Sequence, residues 1–203
     1  MKVIGQFHDS EDPDRFVWLR GFSDMPSRGQ ALEAFYGGPV WKAHRDAANA
    51  TIVDSDNVLL LRPARLTSGF SLENSERSPF GGNDVPRGLV VGTIYYLKVP
   101  TAGDFVDFFE RDLHPVLTDA GGSISAYFVT ESSVNNFPRL PVREGENVFV
   151  WFSCFSDRAA YERHVATVAQ RYRGELSQEL ASRLKAPQEV LKLSPTARSR
   201  LQG

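Results

Sequence analysis

Phe16-Val17-Trp18-Leu19-Arg20-Gly21-Phe22-Ser23-Asp24 reads F-V-W-x-x-x-F-S-D, and Phe149-Val150-Trp151-Phe152-Ser153-Cys154-Phe155-Ser156-Asp157 reads the same. Six of the nine positions are identical, at an offset of 133 (149 − 16). A second anchor follows each copy. Val58-Leu59-Leu60-Leu61-Arg62-Pro63 and Val190-Leu191-Lys192-Leu193-Ser194-Pro195 share V-L-x-L-x-P at an offset of 132 (190 − 58). Two anchors at nearly one offset mark the chain as two copies of one unit, and such a repeat constrains a fold more than local propensity does.

The elements around the anchors follow from periodicity. Lys2 to Phe7 is a short, mostly apolar run, and Asp9 to Asp14 is a turn cluster containing Pro13. Arg15 to Phe22, aromatic and β-branched, is the second strand of a hairpin. Ser23 or Asp24 caps a helix with Pro26 in its first turn, where a missing N–H costs little. Leu32, Phe35 and Tyr36 share one face of that helix. Gly37-Gly38 stops it, and Pro39 starts a second short helix carrying Val40, Trp41, His44, Arg45 and Ala48. Thr51 to Asp54 reads as extended and Val58 to Leu61 as a strand. From Pro63 to Arg87 periodicity is lost, with Phe70, Leu72 and Phe80 the large apolar residues after Leu66, as in a linker or long surface loop.

Beyond the loop, Leu89 to Val99 is a strand. Ala102 to Leu117 is a helix whose Phe105, Phe108, Phe109 and Leu113 keep a 3.6-residue period, with Pro115 placed to kink it. Gly121-Gly122 ends it, Ser123 to Thr130 alternates as a strand, and Asn135 to Gly145 is a loop. Asn147 to Phe155 is the second copy of the opening strand. Asp157 to about Leu184 is a helix with Tyr161, His164, Val168 and Tyr172 on its stripe; Val190 to Leu193 is the closing strand, followed by a polar tail.

The second half therefore reads β-α-β-β-α-β, the split-βαβ or ferredoxin-like order, with both helices on one face of an antiparallel sheet. The first half reads β-β-α-β. Aligned on the repeated strand, it lacks the leading strand and helix, and the gap falls before Met1. The expected class is α+β: tandem ferredoxin-like (split βαβ) units forming an α+β barrel, the first unit lacking its leading strand and helix. Residues 1–64 are the first, incomplete unit, 65–88 a linker or long loop, and 89–203 the second, complete unit. Closing a barrel removes exposed strand edges. An incomplete unit is expected to leave a gap in the wall or to make the chain a homo-oligomer.

Composition adds bounds. Apolar residues make up 41% of 203 residues, enough for a packed core, and a net charge of −2 gives no electrostatic footprint for nucleic acid or a polybasic membrane surface. The lone Cys154 sits in an apolar run and reads as a small core residue. No apolar run approaches the roughly 20 residues of a membrane span, and no basic-then-apolar signal opens the chain. The default location is cytoplasmic.

At Phe16 to Leu61 the sequence resembles the NIPSNAP family, within the larger group of dimeric α+β barrels. The residues that carry the resemblance are Asp12-Pro13-Asp14-Arg15-Phe16-Val17-Trp18-Leu19-Arg20-Gly21-Phe22, Phe35-Tyr36-Gly37-Gly38-Pro39-Val40-Trp41, Ala47-Ala48-Asn49-Ala50-Thr51 and Asp54 to Pro63. Over the second half it rests on the order of elements and the F-V-W-x-x-x-F-S-D string. The resemblance implies a barrel that binds a small apolar or aromatic ligand. Alternatives are a cofactor-independent monooxygenase, as related barrels include, and a non-enzymatic interaction or scaffold protein.

The ligand-binding candidates are Arg20, Tyr36, Trp41, His44 and Asn49, with no catalytic residue assigned. If alternation holds, Trp18 and Arg20 share one face of their strand and Leu19 lies on the other. Rings supply contact area and a guanidinium holds a carboxylate, so a barrel interior lined this way suits an aromatic acid. In the competing reading Trp18 packs between sheet and helix while Arg20 pairs with Asp24 or a helix C-terminus. His44 reads otherwise as a solvent-side or helix-capping residue, His164 as a core-edge histidine rather than a ligand, and Asp54 and Asp56 as turn residues. No metal motif occurs among His8, His44, His114 and His164. No cofactor is expected; related barrels bind heme, for which His114 is the axial candidate, but no residue pattern requires it.

Overall fold

In the computed structural model, residues 1–73, 75, 77–79, 81, 86–100, 103–171 and 174–203 are described; Phe80, Ala102 and Tyr172, used above, lie outside them. The strands are β1 (Lys2–Asp9), β2 (Phe16–Gly21), β3 (Leu61–Pro63), β4 (Leu89–Tyr96), β5 (Ser123–Thr130), β6 (Val148–Phe155) and β7 (Glu189–Pro195). The helices are α1 (Met25–Gly37), α2 (Pro39–Asn49), α3 (Gly103–Phe108), α4 (His114–Asp119), α5 (Arg158–Arg171) and α6 (Glu175–Arg183), with a π-helical turn over Phe109–Leu113 between α3 and α4. All strands join one antiparallel sheet of order β2-β1-β7-β4-β6-β5-β3. The stretch β7-β4-β6-β5 is the strand order of a ferredoxin-like unit. β1 and β3 add to its two ends, so the first segment of the chain does not form a separate sheet.

The two hairpins share one register. His8 pairs with Phe16, Phe7 with Val17 and Gln6 with Trp18, and an irregularity falls between Val3 and Gly5. Val129 pairs with Phe149, Phe128 with Val150 and Tyr127 with Trp151, and an irregularity falls between Ile124 and Ala126. The correspondence extends to the second anchor. Leu193, Ser194 and Pro195 pair with Asp9, His8 and Phe7, whereas Leu61, Arg62 and Pro63 pair with Thr130, Val129 and Phe128.

The sheet curls. Val17 and Leu19 of β2 and Leu61 of β3 pack on one cluster built on Phe7, Val90, Ile94, Val150, Phe152 and Leu193. Those strands are the two ends of the sheet, and in a flat sheet six steps of about 4.8 Å would hold them roughly 29 Å apart. Side chains of both halves fill the concave side, including Phe70 from the loop after β3, which meets the rings of Phe128 and Phe152. The tail beyond β7 is not a solvated polar segment. Ser199 is 0% exposed and Leu201 7%; the Ser199 hydroxyl donates to the Gln6 carbonyl at 2.6 Å and accepts from the Gln6 N–H at 2.9 Å.

The convex face of β4, β5 and β6 carries the helices. Tyr95, Phe149, Trp151 and Val129 meet Phe105, Phe108, Phe109, Leu113 and Leu117 of the α3–α4 segment and Leu180 of α6. Fully burying a side chain of this size contributes about 1.5–3 kcal/mol. The kink expected at Pro115 takes the form of the π turn just ahead of it: His114 N–H reaches back to Phe109 O. Proline has no N–H to donate and its ring crowds the carbonyl one turn back, so the wider turn fits it without breaking the helix. The single helix read from Asp157 to Leu184 is divided at Gly174, whose φ of +82 suits a residue without Cβ. Thr51 to Asp54 forms no strand, and the strand read at Val58 to Leu61 occupies only Leu61–Pro63.

Candidate functional site

Alternation along β2 decides where its polar and aromatic side chains go. Val17 and Leu19 enter the concave core, so Trp18 and Arg20 point to the other side. They line not the interior, as a filled barrel cavity would require, but the face beneath α1. Asp24 caps that helix, accepting from Ser27 N–H at 2.7 Å; the Ser27 hydroxyl and then this N–H hold its carboxyl below the usual range, and it forms no ion pair with Arg20 among the described residues.

Instead Arg20 lies over the Trp18 ring at 4.5 Å from the centroid and donates to the Tyr36 hydroxyl at 3.3 Å. Trp18 meets Phe35 edge-on at 6.1 Å, and Phe35 meets Tyr36 at 4.9 Å and Trp41 at 5.7 Å. Tyr36 meets Trp41 at 4.9 Å and stacks on Phe137 at 5.8 Å. The Trp18 indole N–H is buried without a hydrogen-bond partner among the described residues.

One face of α1 carries Arg28, Leu32 and Tyr36 at spacings of four. Arg28 is 4% exposed, and its Nη1 donates to Asn135 Oδ1 at 3.0 Å and Asn136 Oδ1 at 2.8 Å. Both acceptors are neutral amides. Among the described residues no carboxylate forms an ion pair with Arg20 or Arg28. Arg65, Arg143, Arg158 and Arg183 each pair with at least one carboxylate. Burial, and then the like charge of Arg20, push the Arg28 guanidinium below its usual range. A buried cation without a counter-charge is costly, and an anion brought into reach offsets that cost.

Of the five candidates, the structure brings Arg20, Tyr36 and Trp41 together, while His44 and Asn49 sit exposed on α2. Arg28, Asn135 and Phe137 escaped sequence reading. Only Arg28 had a signal, its four-residue spacing to Leu32; the loop residues had none. His114 lies beside Phe109, with Nδ1 3.4 Å from the Thr118 hydroxyl. His164 is buried, its Nδ1 3.2 Å from Ala120 O. Cys154 lies against the concave core, where burial pushes its thiol up. Among the described residues no group of three or more His, Cys, Asp or Glu side chains is placed to hold a metal.

The chain is thus an α+β protein with a curled antiparallel sheet, and β7-β4-β6-β5 defines its ferredoxin-like class. No family model and no curated protein matches it. Among solved structures it is similar to an uncharacterized NIPSNAP-like domain protein from Burkholderia xenovorans, at 19% identity and a TM-score of 0.40 over 58% of this chain and 92% of that one. It is also similar to a dimeric ferredoxin-like protein from an uncultured marine organism, at 8% identity and a TM-score of 0.33 over 54% and 89%. Among the described residues no helix is long and apolar enough to cross a membrane.

Proposed function

We propose that this protein binds a small aromatic or apolar acid on the convex face of β2, between Trp18, Arg20, Tyr36 and Trp41. The observation that carries the reading is Arg20, held over the Trp18 ring at 4.5 Å and on the Tyr36 hydroxyl at 3.3 Å, without a carboxylate partner among the described residues. The Tyr36 hydroxyl accepts from Arg20, so its own proton is free to donate. The Trp18 indole N–H is a further donor. Three donors beside a wall of rings suit a carboxylate carried on an apolar body.

Intrinsic fluorescence reads the test directly, since Trp18 and Trp41 both lie in the cluster. Titration with benzoate, phenylacetate and indole-3-acetate is expected to give saturable quenching that their neutral amides do not. Arg20→Ala is expected to weaken binding roughly 10- to 100-fold, as loss of a charge-assisted hydrogen bond of about 1.5–3 kcal/mol requires. Acids and amides that bind alike, or an Arg20→Ala protein that binds the acids unchanged, would refute the proposal.

A further inference from the structure

The sheet ends on β2 and β3, and both edges border the same apolar core. Each has a counterpart in the other half with matching register: β6 for β2 and β7 for β3. β6 and β7 are bridged by one strand. Gly92 of β4 pairs with Phe152 on one side and Leu191 on the other, Val91 with Ser153 and Lys192, and Thr93 with Trp151 and Val190. Carried across by the two offsets, the same bridge would join Leu19 to Leu59, Arg20 to Leu60, and Trp18 to Val58. Among the described residues nothing pairs with the outer edge of β2 or of β3.

The face above the gap differs in the same way. Phe149 is 0% exposed beneath Phe105 at 5.2 Å and Phe109 at 4.6 Å, both from the helix that follows β4. Its counterpart Phe16 is 52% exposed and meets His8. No residue of β2 is fully buried, whereas every residue of β6 except Cys154 is. An open strand edge is a template for pairing, and an exposed phenylalanine beside it is apolar surface awaiting cover.

We propose that the β2 and β3 edges together accept one polypeptide element of a partner protein: an apolar strand that pairs with both edges, followed by an amphipathic helix whose aromatic face covers Phe16. The occupant has the chemistry of residues 89–119, because that element fills the equivalent place in the other half. Its strand faces the core with small and aliphatic side chains at alternate positions, as Val90, Gly92 and Ile94 do, and its helix carries phenylalanines one turn apart, as Phe105 and Phe109 do.

The test adds a fluorescently labelled peptide of the sequence 88–119, with a solubilising lysine tag, to the full chain. A scrambled peptide with the same tag is the control. Saturable binding is expected for the native order, with new hydrogen-exchange protection in residues 16–21 and 58–62. Phe16→Asp, a change at a half-exposed site that leaves the core untouched, is expected to weaken binding at least tenfold. Equal binding of the scrambled peptide, unchanged binding by Phe16→Asp, or protection confined to β6 and β7 would overturn the proposal. So would absence of binding. Self-association of the chain alone that protects residues 16–21 and 58–62 would make a second copy the occupant, and the proposed partner would fall.

Discussion

Phe16 and Phe149 stand at the same place in two hairpins of matching register, yet one is half exposed and the other fully buried. The strand chemistry is the same, so the difference lies in what covers each ring. Phe149 has α3 and the π turn above it; among the described residues the ring that meets Phe16 is His8, across the ladder.

This contrast predicts unequal costs for one substitution. Phe149→Ala removes a ring packed among Phe105, Phe109, Tyr95 and Tyr127, and should cost about 3–5 kcal/mol. Phe16→Ala leaves no cavity and should cost less than about 1 kcal/mol. Urea denaturation of the two variants measures both.

The tail after β7 is a second place to look. Removal of residues 199–203 takes away Leu201 from the concave core and both Ser199 contacts to the Gln6 backbone. Loss of about 2–5 kcal/mol is expected, by analogy with truncating a buried leucine. A truncated chain with an unchanged urea midpoint would show that the tail does not stabilise the fold.

Tyr96 ties three elements together. Its hydroxyl donates to Glu189 Oε2 at 2.7 Å and accepts from Arg143 Nη1 at 3.0 Å. Tyr96→Phe keeps the ring against the core but leaves both partners short of a bond, and should cost about 1–3 kcal/mol. Arg143 retains Glu146 and Glu189 retains Arg15, which favours the lower end of that range.

His164 should give a pH signature. Burial holds its imidazole below the usual 6.5, against the opposing pull of the Ala120 carbonyl. The folded chain therefore keeps the ring neutral where the unfolded chain has begun to take up a proton. Its contribution is present in full above the unfolded value and fades as pH falls toward the lower folded one. Comparison of unfolding free energies at about pH 7.5 and about pH 5.5 should show a drop in the parent protein that is smaller in His164→Gln.

Much of the fold was legible in the sequence, because a strand half-buried against a helix layer repeats its pattern every two residues and the same pattern occurs twice. From Phe16 to Asp24 the alternation placed Trp18 and Arg20 together on one face and Leu19 on the other. The capping Asp24 and the glycines at 37–38 and 121–122 marked helix ends for local reasons that need no partner. Alternation alone did not say which face was the interior. That was decided when β1 paired with β7 and β3 with β5, contacts between segments more than 60 residues apart. Curling then sent Val17 and Leu19 inward and Trp18 and Arg20 out beneath α1. The tertiary structure alone buried Arg28 between amide oxygens of a distant loop and left it without a carboxylate among the described residues. A charge is unremarkable in a sequence, and becomes informative only when folding removes its water and supplies no opposite charge in return.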